Sequence, residues 1–440
     1  MSKRICRKLL TSILCAFSFV GAFAQSDGSY TSYTPYSVFG IGDLYKQGSA
    51  HNRGMGGVGI AGRSKRYVNY INPASIVNRD TLSFMLDFGL SNENKIYKQN
   101  SLQSANNTFT INDIVFSIPI YNRLAVMGGI TPFSSIGYNF SHNLTGDALI
   151  GRTGNATYTS EGSGSLYQMF FGAGFKISNR LSIGAEVIYF FGNLQKNTYL
   201  EFDADDIRDV YTGYKLELNS FAGKFGIQYE QPLGNDLSLS VGATYRTPSK
   251  LNGYVTDYEY ASVSSLTDTT SYVVDTLSHG KNVKLAGEIG VGVSLRKGDK
   301  WTMEIDYLRS NWTSSGFDSY TGFSNIGTST FTTTTSQSIR AGFEIVPNRN
   351  DIRYYLRRCA YRFGGYFDQA YYKLDGNTVN AYGLTFGVTL PVFRLYNGIS
   401  VGFDIGRRGS KTGNMTQETY GMIVVGFNIH DLWFQKHRYN

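Results

Sequence analysis

Beyond its first eighty residues the chain repeats one unit, an alternating apolar and polar run of about ten residues closed by a turn. Leu285–Leu295 displays it: Leu285, Ile289, Val291, Val293 and Leu295 fall on one side, and Ala286, Glu288, Gly290, Gly292 and Ser294 on the other. A period of two places successive side chains on opposite faces of a strand. Runs of about 9–11 residues with this period, and no long apolar helix, predict an all-β fold: an antiparallel transmembrane β-barrel.

Fourteen candidate strands follow, near 82–92, 108–119, 124–140, 165–177, 181–192, 216–230, 236–247, 282–297, 300–311, 336–347, 359–371, 378–390, 397–408 and 417–429. The even number suits a single-chain bacterial barrel. Short connections at Asn122-Arg123, Ser178–Arg180, Pro232–Asn235 and Lys297–Asp299, with a longer one at Pro391–Tyr396, alternate with segments at 93–107, 141–164, 193–215, 248–281 and 312–335. That asymmetry predicts periplasmic turns at one end and long extracellular loops at the other. Arg349–Arg358 reads as a longer periplasmic turn with one turn of helix.

Residues 1–24 read as a secretory leader: Lys3, Arg4, Arg7 and Lys8 precede an apolar stretch from Leu9 to Val20, and Ala22-Phe23-Ala24 supplies small residues for cleavage. Export in this form places the barrel in the outer membrane of a Gram-negative cell. Loss of the leader lowers the formal net charge from +8 to +4 and leaves Cys359 as the one cysteine. A lone thiol makes no internal disulfide and fits no zinc spacing, so it is expected to be packed or to face lipid. The basic excess is scattered, which gives nucleic acid no footprint. Fifty glycines, 33 tyrosines, 29 phenylalanines and only 8 prolines suit a curved sheet with aromatic belts better than two or three soluble domains.

Strand register assigns the charges. With the apolar face toward lipid, Glu186, Lys224, Gln228, Glu230, Arg246, Lys284, Glu288, Glu304, Asp306, Arg340, Glu344, Arg362, Asp368 and Asp404 all point into the lumen. A charge on the lipid face at mid-bilayer costs about 2–4 kcal/mol, so this segregation is what a barrel requires. The balance of signs predicts a narrow, ion-paired interior rather than a wide pore with a ring of one sign.

Residues 25–80 do not alternate, yet Val38, Phe39, Ile41, Leu44, Met55, Val58 and Ile60 demand burial. Two placements remain open: a plug inside the barrel, or a periplasmic extension. Within this stretch, Asn52–Ala61 (NRGMGGVGIA) holds Gly54, Gly56, Gly57 and Gly59, which permit a tight chain with positive φ. Asn72-Pro73-Ala74 follows, with proline holding the preceding residue extended. The glycines neither follow a strand nor open a helix, so nucleotide binding is rejected.

This glycine-rich stretch and Asn-Pro-Ala triplet before a 14-stranded barrel resemble the N-terminal hatch of the FadL/TodX family of outer-membrane transporters, in a divergent branch. Pro35–Asp43 (PYSVFGIGD) is similar to the opening of that branch, whereas Trp433–Lys436 departs from it by adding a basic end. The resemblance implies a leader (1–24), a hatch (25–80), a barrel (81–430) and a short periplasmic tail (431–440). It also implies passive uptake of hydrophobic molecules such as long-chain fatty acids, with release through a kink in the third strand. Gly128, Gly129 and Pro132 are the candidates for that kink, a simple bulge being the alternative.

The partners expected are outer-membrane lipid and lipopolysaccharide, together with an apolar substrate received by loop aromatics such as Phe317, Tyr320 and Phe323. A different class of function stays open: a scaffold barrel that docks a protein of a secretion or assembly complex, with Asp203, Asp205, Asp206, Asp257 and Glu259 on its loops. An enzyme is not expected, because His51, His142, His279, His430 and His437 lie apart with no nucleophile elbow or metal-ligand spacing. No cofactor or metal is called for.

Overall fold

The computed structural model describes residues 31–79, 83–144, 155–203, 207–263, 266–276, 283–320, 322–323, 330–392, 397–412 and 415–432. The leader, most of the C-terminal tail, and Asp205, Asp206, His279 and His437 lie outside them.

Fourteen strands form the wall: β1 (Ser83–Gln99), β2 (Leu102–Tyr121), β3 (Leu124–Ser135), β4 (Ala156–Lys176), β5 (Leu181–Phe202), β6 (Asp209–Gly234), β7 (Leu237–Arg246), β8 (Glu288–Lys297), β9 (Trp301–Asn311), β10 (Thr335–Ile345), β11 (Ala360–Leu374), β12 (Asn377–Pro391), β13 (Gly398–Arg408) and β14 (Gln417–Leu432). Each pairs antiparallel with the next, and β14 returns to β1 from Ser83↔Leu432 to Lys98↔Gln417, so the sheet closes. Closure gives every wall strand a neighbour on both sides, which is the condition for strands to cross a bilayer. Among the described residues no helix is long and apolar enough to cross a membrane, a fact silent about strands.

Alternation does what the period predicts. Ile289, Val291 and Val293 of β8 stand outward, 57%, 47% and 47% exposed, while Gly290, Gly292 and Ser294 face in. Lys284 is placed differently from expectation. It lies in a two-residue bridge, Lys284–Leu285 with Ser249–Lys250, because the chain leaves the wall before Glu288.

The loops at the long-connection end contain more strand than their polarity suggested. β4, β5 and β6 run for 21, 22 and 26 residues, about twice what a crossing needs. A hairpin, Asn252–Val263 with Leu266–Thr276, adds to the far end of β6, and Tyr138–Leu144 adds to β4. The segments expected as loops at 141–164, 193–215 and 248–281 are therefore largely sheet. The outer face there is polar because it meets water instead of lipid, while Leu194, Leu216 and Val255 are buried on the inner one, which erases the outward apolar stripe that marks a strand in the membrane.

Candidate functional site

Residues 31–79 thread the lumen, and local chemistry sets their path. Thr34 caps a short 3-10 turn, Pro35–Val38, by accepting the Tyr36 N–H at 3.2 Å. Ser49 and Asn52 bracket a single α-turn, Ala50–Arg53, and the Asn52 side chain then reaches forward to the Val58 carbonyl at 2.7 Å. The loop this closes needs Gly56 and Gly57 at φ +76° and +82°, a region that side chains with a Cβ seldom enter. Gly54 and Gly59 serve proximity instead: a Cβ on Gly54 would stand 3.0 Å from Gly387 Cα, and one on Gly59 would stand 2.7 Å from Asn52 Nδ2.

The triplet locks this loop to the wall. The Asn72 side-chain Oδ1 accepts the Ala74 N–H at 3.0 Å, and its Nδ2 donates to the carbonyls of Ile60 (2.8 Å) and Ile227 (3.3 Å). Pro73 opens the 3-10 turn Pro73–Val77, and Ala74 is fully buried.

The wall meets the segment with a belt of glycines that sequence reading passed over. Gly174, Gly184, Gly226, Gly242, Gly292, Gly342, Gly364, Gly387, Gly402 and Gly426 lie on β4–β8 and β10–β14, and a Cβ on each would press on residues 50–77. Only β9 differs in this run, presenting Asp306. Its carboxylate accepts the N–H groups of Gly59 (2.7 Å) and Ile60 (3.0 Å), while Thr385 accepts that of Gly56 at 2.7 Å. Inward glycines recurring once per strand were the available signal.

Most of the predicted lumen charges meet partners there. Glu186 pairs with Lys224 (3.4 Å), Arg362 with Glu344 (2.8 Å), and Glu230 with Arg296 (2.6 Å) and Arg63 (3.4 Å). Arg340 donates to the Gly57 carbonyl at 3.2 Å and Arg246 to that of Ala286 at 3.3 Å. Glu288 stands opposite Arg246 in the ladder, and Glu304 is buried with one oxygen near Gly62. Five participants were missed, Arg63 and Arg296 just named and three more. Lys46 lies 3.3 Å from Asp404, 3.7 Å from Asp368 and 3.1 Å from the Tyr366 ring centre, and Asp43 pairs with Arg408 at 2.7 Å. They come from segments without strand periodicity or from strand ends, where register gives no facing partner.

Among the described residues the lumen holds a cavity of about 280 Å³. Its lining mixes charged residues (Lys46, Glu93, Lys95, Arg340, Asp404 and Glu418) with apolar ones such as Ile71, Phe133, Phe170, Ile188 and Trp312. By contrast the loop aromatics expected to receive an apolar ligand are spent. Phe317 and Phe323 are fully buried and Tyr320 nearly so; Phe317 stacks on Phe323 at 5.1 Å and packs against Trp312 at 5.9 Å. Their apolar area is satisfied within the fold.

At the third strand, β2 and β3 pair only as far as Ile114↔Ile130. Gly128 and Gly129 lie just below that point, and a Cβ on Gly129 would stand 2.6 Å from the Ile114 carbonyl. Pro132 lies just above, beside a register shift against β4. The freed edge of β3 is taken by the chain itself, with Asp43↔Ser135 and Leu44↔Ser134 paired antiparallel.

Of the histidines, His51 stacks on Tyr67 at 3.5 Å, His430 bonds Ser83 and His142 is exposed on the 138–144 strand. Among the described residues no group of three or more His, Cys, Asp or Glu side chains is placed to hold a metal ion. Cys359 is a buried free thiol.

A closed 14-stranded wall with a threaded lumen defines an outer-membrane-type β-barrel. The chain belongs to the BamG family, whose model matches residues 1–440. No curated protein matches it. In fold it is similar to a FadL homologue of Pseudomonas aeruginosa (10% identity, TM-score 0.58, covering 89% of this chain and 99% of that one). It is likewise similar to the Ralstonia pickettii toluene transporter TbuX (15%, 0.55, 87% and 98%) and the P. putida toluene transporter TodX (12%, 0.55, 90% and 100%). The FadL/TodX resemblance seen in the sequence is thus a likeness of fold.

Proposed function

We propose that this barrel is a plugged scaffold of the Gram-negative outer membrane, exported by residues 1–24, which holds a protein partner rather than conducting a solute. The carrying observation is the lumen. Residues 50–77 are seated on a belt of wall glycines and held there by Asp306, Thr385 and Arg340, and the cavity beside them is lined by the charged Lys46, Glu93, Lys95, Arg340, Asp404 and Glu418 as well as by apolar residues such as Phe133, Phe170 and Trp312. Residues 25–80 act in this reading as a fixed plug, with Gly54, Gly56, Gly57, Gly59, Asn72, Pro73 and Ala74 shaping it. The sheet raised by β4–β6 and the 252–276 hairpin supplies the area a docked protein needs, with Asp203, Asp257 and Glu259 exposed on it. The name BamG points to a Bam-related partner.

A second reading, passage of hydrophobic small molecules such as long-chain fatty acids, draws support from one feature. The β2–β3 ladder stops at Ile114↔Ile130, so displacement of Asp43–Leu44 from the β3 edge would open the wall sideways at Gly128, Gly129 and Pro132.

Purification of the full chain from native outer membrane in mild detergent, followed by mass spectrometry, separates the two. A stoichiometric protein, lost when the 252–276 hairpin is removed, is the expected result. A bound fatty acid or hydrocarbon with no such protein overturns it in favour of transport.

A further inference from the structure

We propose that the turn between β10 and β11, residues 346–359, is a phospholipid-surface anchor that holds anionic headgroups at the short-turn rim of the barrel. This is independent of whether the lumen conducts.

The turn is unlike its neighbours. Two to four residues join β2 to β3, β4 to β5, β6 to β7 and β8 to β9, whereas 14 residues join β10 to β11. Such length invites disorder, yet the turn is built. The Asp351 carboxylate accepts the N–H groups of Tyr354 (2.7 Å) and Arg353 (2.8 Å) and leads into the helical turn Tyr355–Arg358. Tyr355 donates its hydroxyl to the Pro391 carbonyl at 2.9 Å, fastening it to the end of β12.

Its direction is set by Tyr361. That residue stands opposite Ile345 and on the same face of β11 as the exposed Phe363 and Phe367, which is the lipid-facing side. Its hydroxyl donates to the Leu356 carbonyl at 2.9 Å. The helical end of the turn therefore lies at the outer surface of the wall, continuous with the face that meets acyl chains, while Arg349 at its start turns toward Glu344 and Arg362.

What it presents there is amphipathic. Ile352 is 101% exposed, Leu356 63% and Tyr354 49%, beside the exposed Arg353 and Arg357. The Arg357 guanidinium sits 4.8 Å from the Tyr354 ring centre and 3.4 Å from Asp351, leaving Arg353 as the exposed cation without that carboxylate. An interface between headgroups and acyl chains accommodates this combination, apolar tips entering and guanidinium groups staying with phosphate. Arg123, Arg180 and Lys300 on other short turns and Lys297 at the end of β8 outnumber Asp236 and Asp299 on the same rim, the latter paired with Arg66 at 2.7 Å, so the rim is net positive. A leaflet touches every turn, whereas a docked protein touches one side, so a basic collar is matched by an anionic leaflet.

The test uses the full-length protein equilibrated with mixed micelles of equal phosphatidylethanolamine and phosphatidylglycerol, with retained lipids counted by native mass spectrometry. The intact chain is expected to enrich phosphatidylglycerol. Joint Arg353→Ser, Arg357→Ser and Arg358→Ser substitution should lower the retained ratio roughly tenfold, and the corresponding lysine substitutions should keep it. Heat-modifiable gel mobility reports folding. An unchanged ratio in the folded serine variant overturns the proposal, as does loss of a co-purifying protein with the ratio intact, which would make the turn a protein-docking element. Should the serine variant not fold, salt decides: enrichment by the intact chain that does not fall as ionic strength rises also overturns it.

Discussion

The Gly59 N–H donates to the Asp306 carboxylate at 2.7 Å, and this contact lies on β9, the strand between β4 and β14 that stands outside the belt of glycines pressed on the threaded segment. Backbone approach leaves two amides, Gly59 and Ile60, with no strand to pair with, and a carboxylate oxygen satisfies both.

Asp306→Ala should therefore loosen residues 54–62. Stranding two buried amides costs about 1–3 kcal/mol each, so the segment should become protease-sensitive while the wall keeps its heat-modifiable mobility. Limited proteolysis of folded protein in detergent measures this. Cleavage unchanged from the parent would show that Asp306 does not hold the segment.

Glycine substitutions should divide by position. A Cβ on Gly184 would overlap the Pro73–Ala74 peptide, and one on Gly364 the Met55–Gly56 peptide. Alanine at either should cost about 1–3 kcal/mol, as overpacked cores do. Gly421→Ala, where a Cβ meets nothing within 4 Å, should be neutral or slightly stabilising. Thermal unfolding followed by gel mobility compares the three, and equal effects at all of them would contradict the belt.

Lys46→Met should cost about 2 kcal/mol, less than the 3–5 of a fully buried pair because the Lys46 side chain is 25% exposed. The loss arises from leaving Asp404 buried without its cation. Adding Asp404→Asn should recover part of it, and strict additivity in the double-mutant cycle would count against direct coupling.

The 346–359 turn should be acid-sensitive. The Tyr354 N–H, helped by the Arg353 N–H and the Arg357 guanidinium, holds the Asp351 carboxyl below its ordinary value. A depressed folded pKa gives stability that is present above the unfolded value of about 3.9 and is lost as pH falls through the folded one. Hydrogen exchange, corrected for its intrinsic pH dependence, should show the Arg353 and Tyr354 amides protected at neutral pH and released below pH of about 4. Protection that persists in strong acid would assign the turn's order to Tyr355 and Tyr361 instead.

The period-two alternation of apolar side chains was enough to specify strand number, order and facing, because a bilayer punishes misplaced charge on every crossing. Ile289, Val291 and Val293 faced out and Glu186, Glu304, Asp306 and Asp404 faced in, as register alone required. That signal disappears where the outer face meets water instead of lipid, so the rise of β4–β6 above the membrane and the 252–276 hairpin were not legible. The glycine loop and the Asn72-Pro73-Ala74 triplet could be recognised as a tight, buried turn from residue types with special backbone needs. Only the folded chain decided what that turn touches. Contacts such as Gly59 with Asp306, or Asp43–Leu44 on the β3 edge, join residues roughly 90 to 250 positions apart, and their meeting depends on how a closed wall brings distant strands around one axis, which no local pattern encodes.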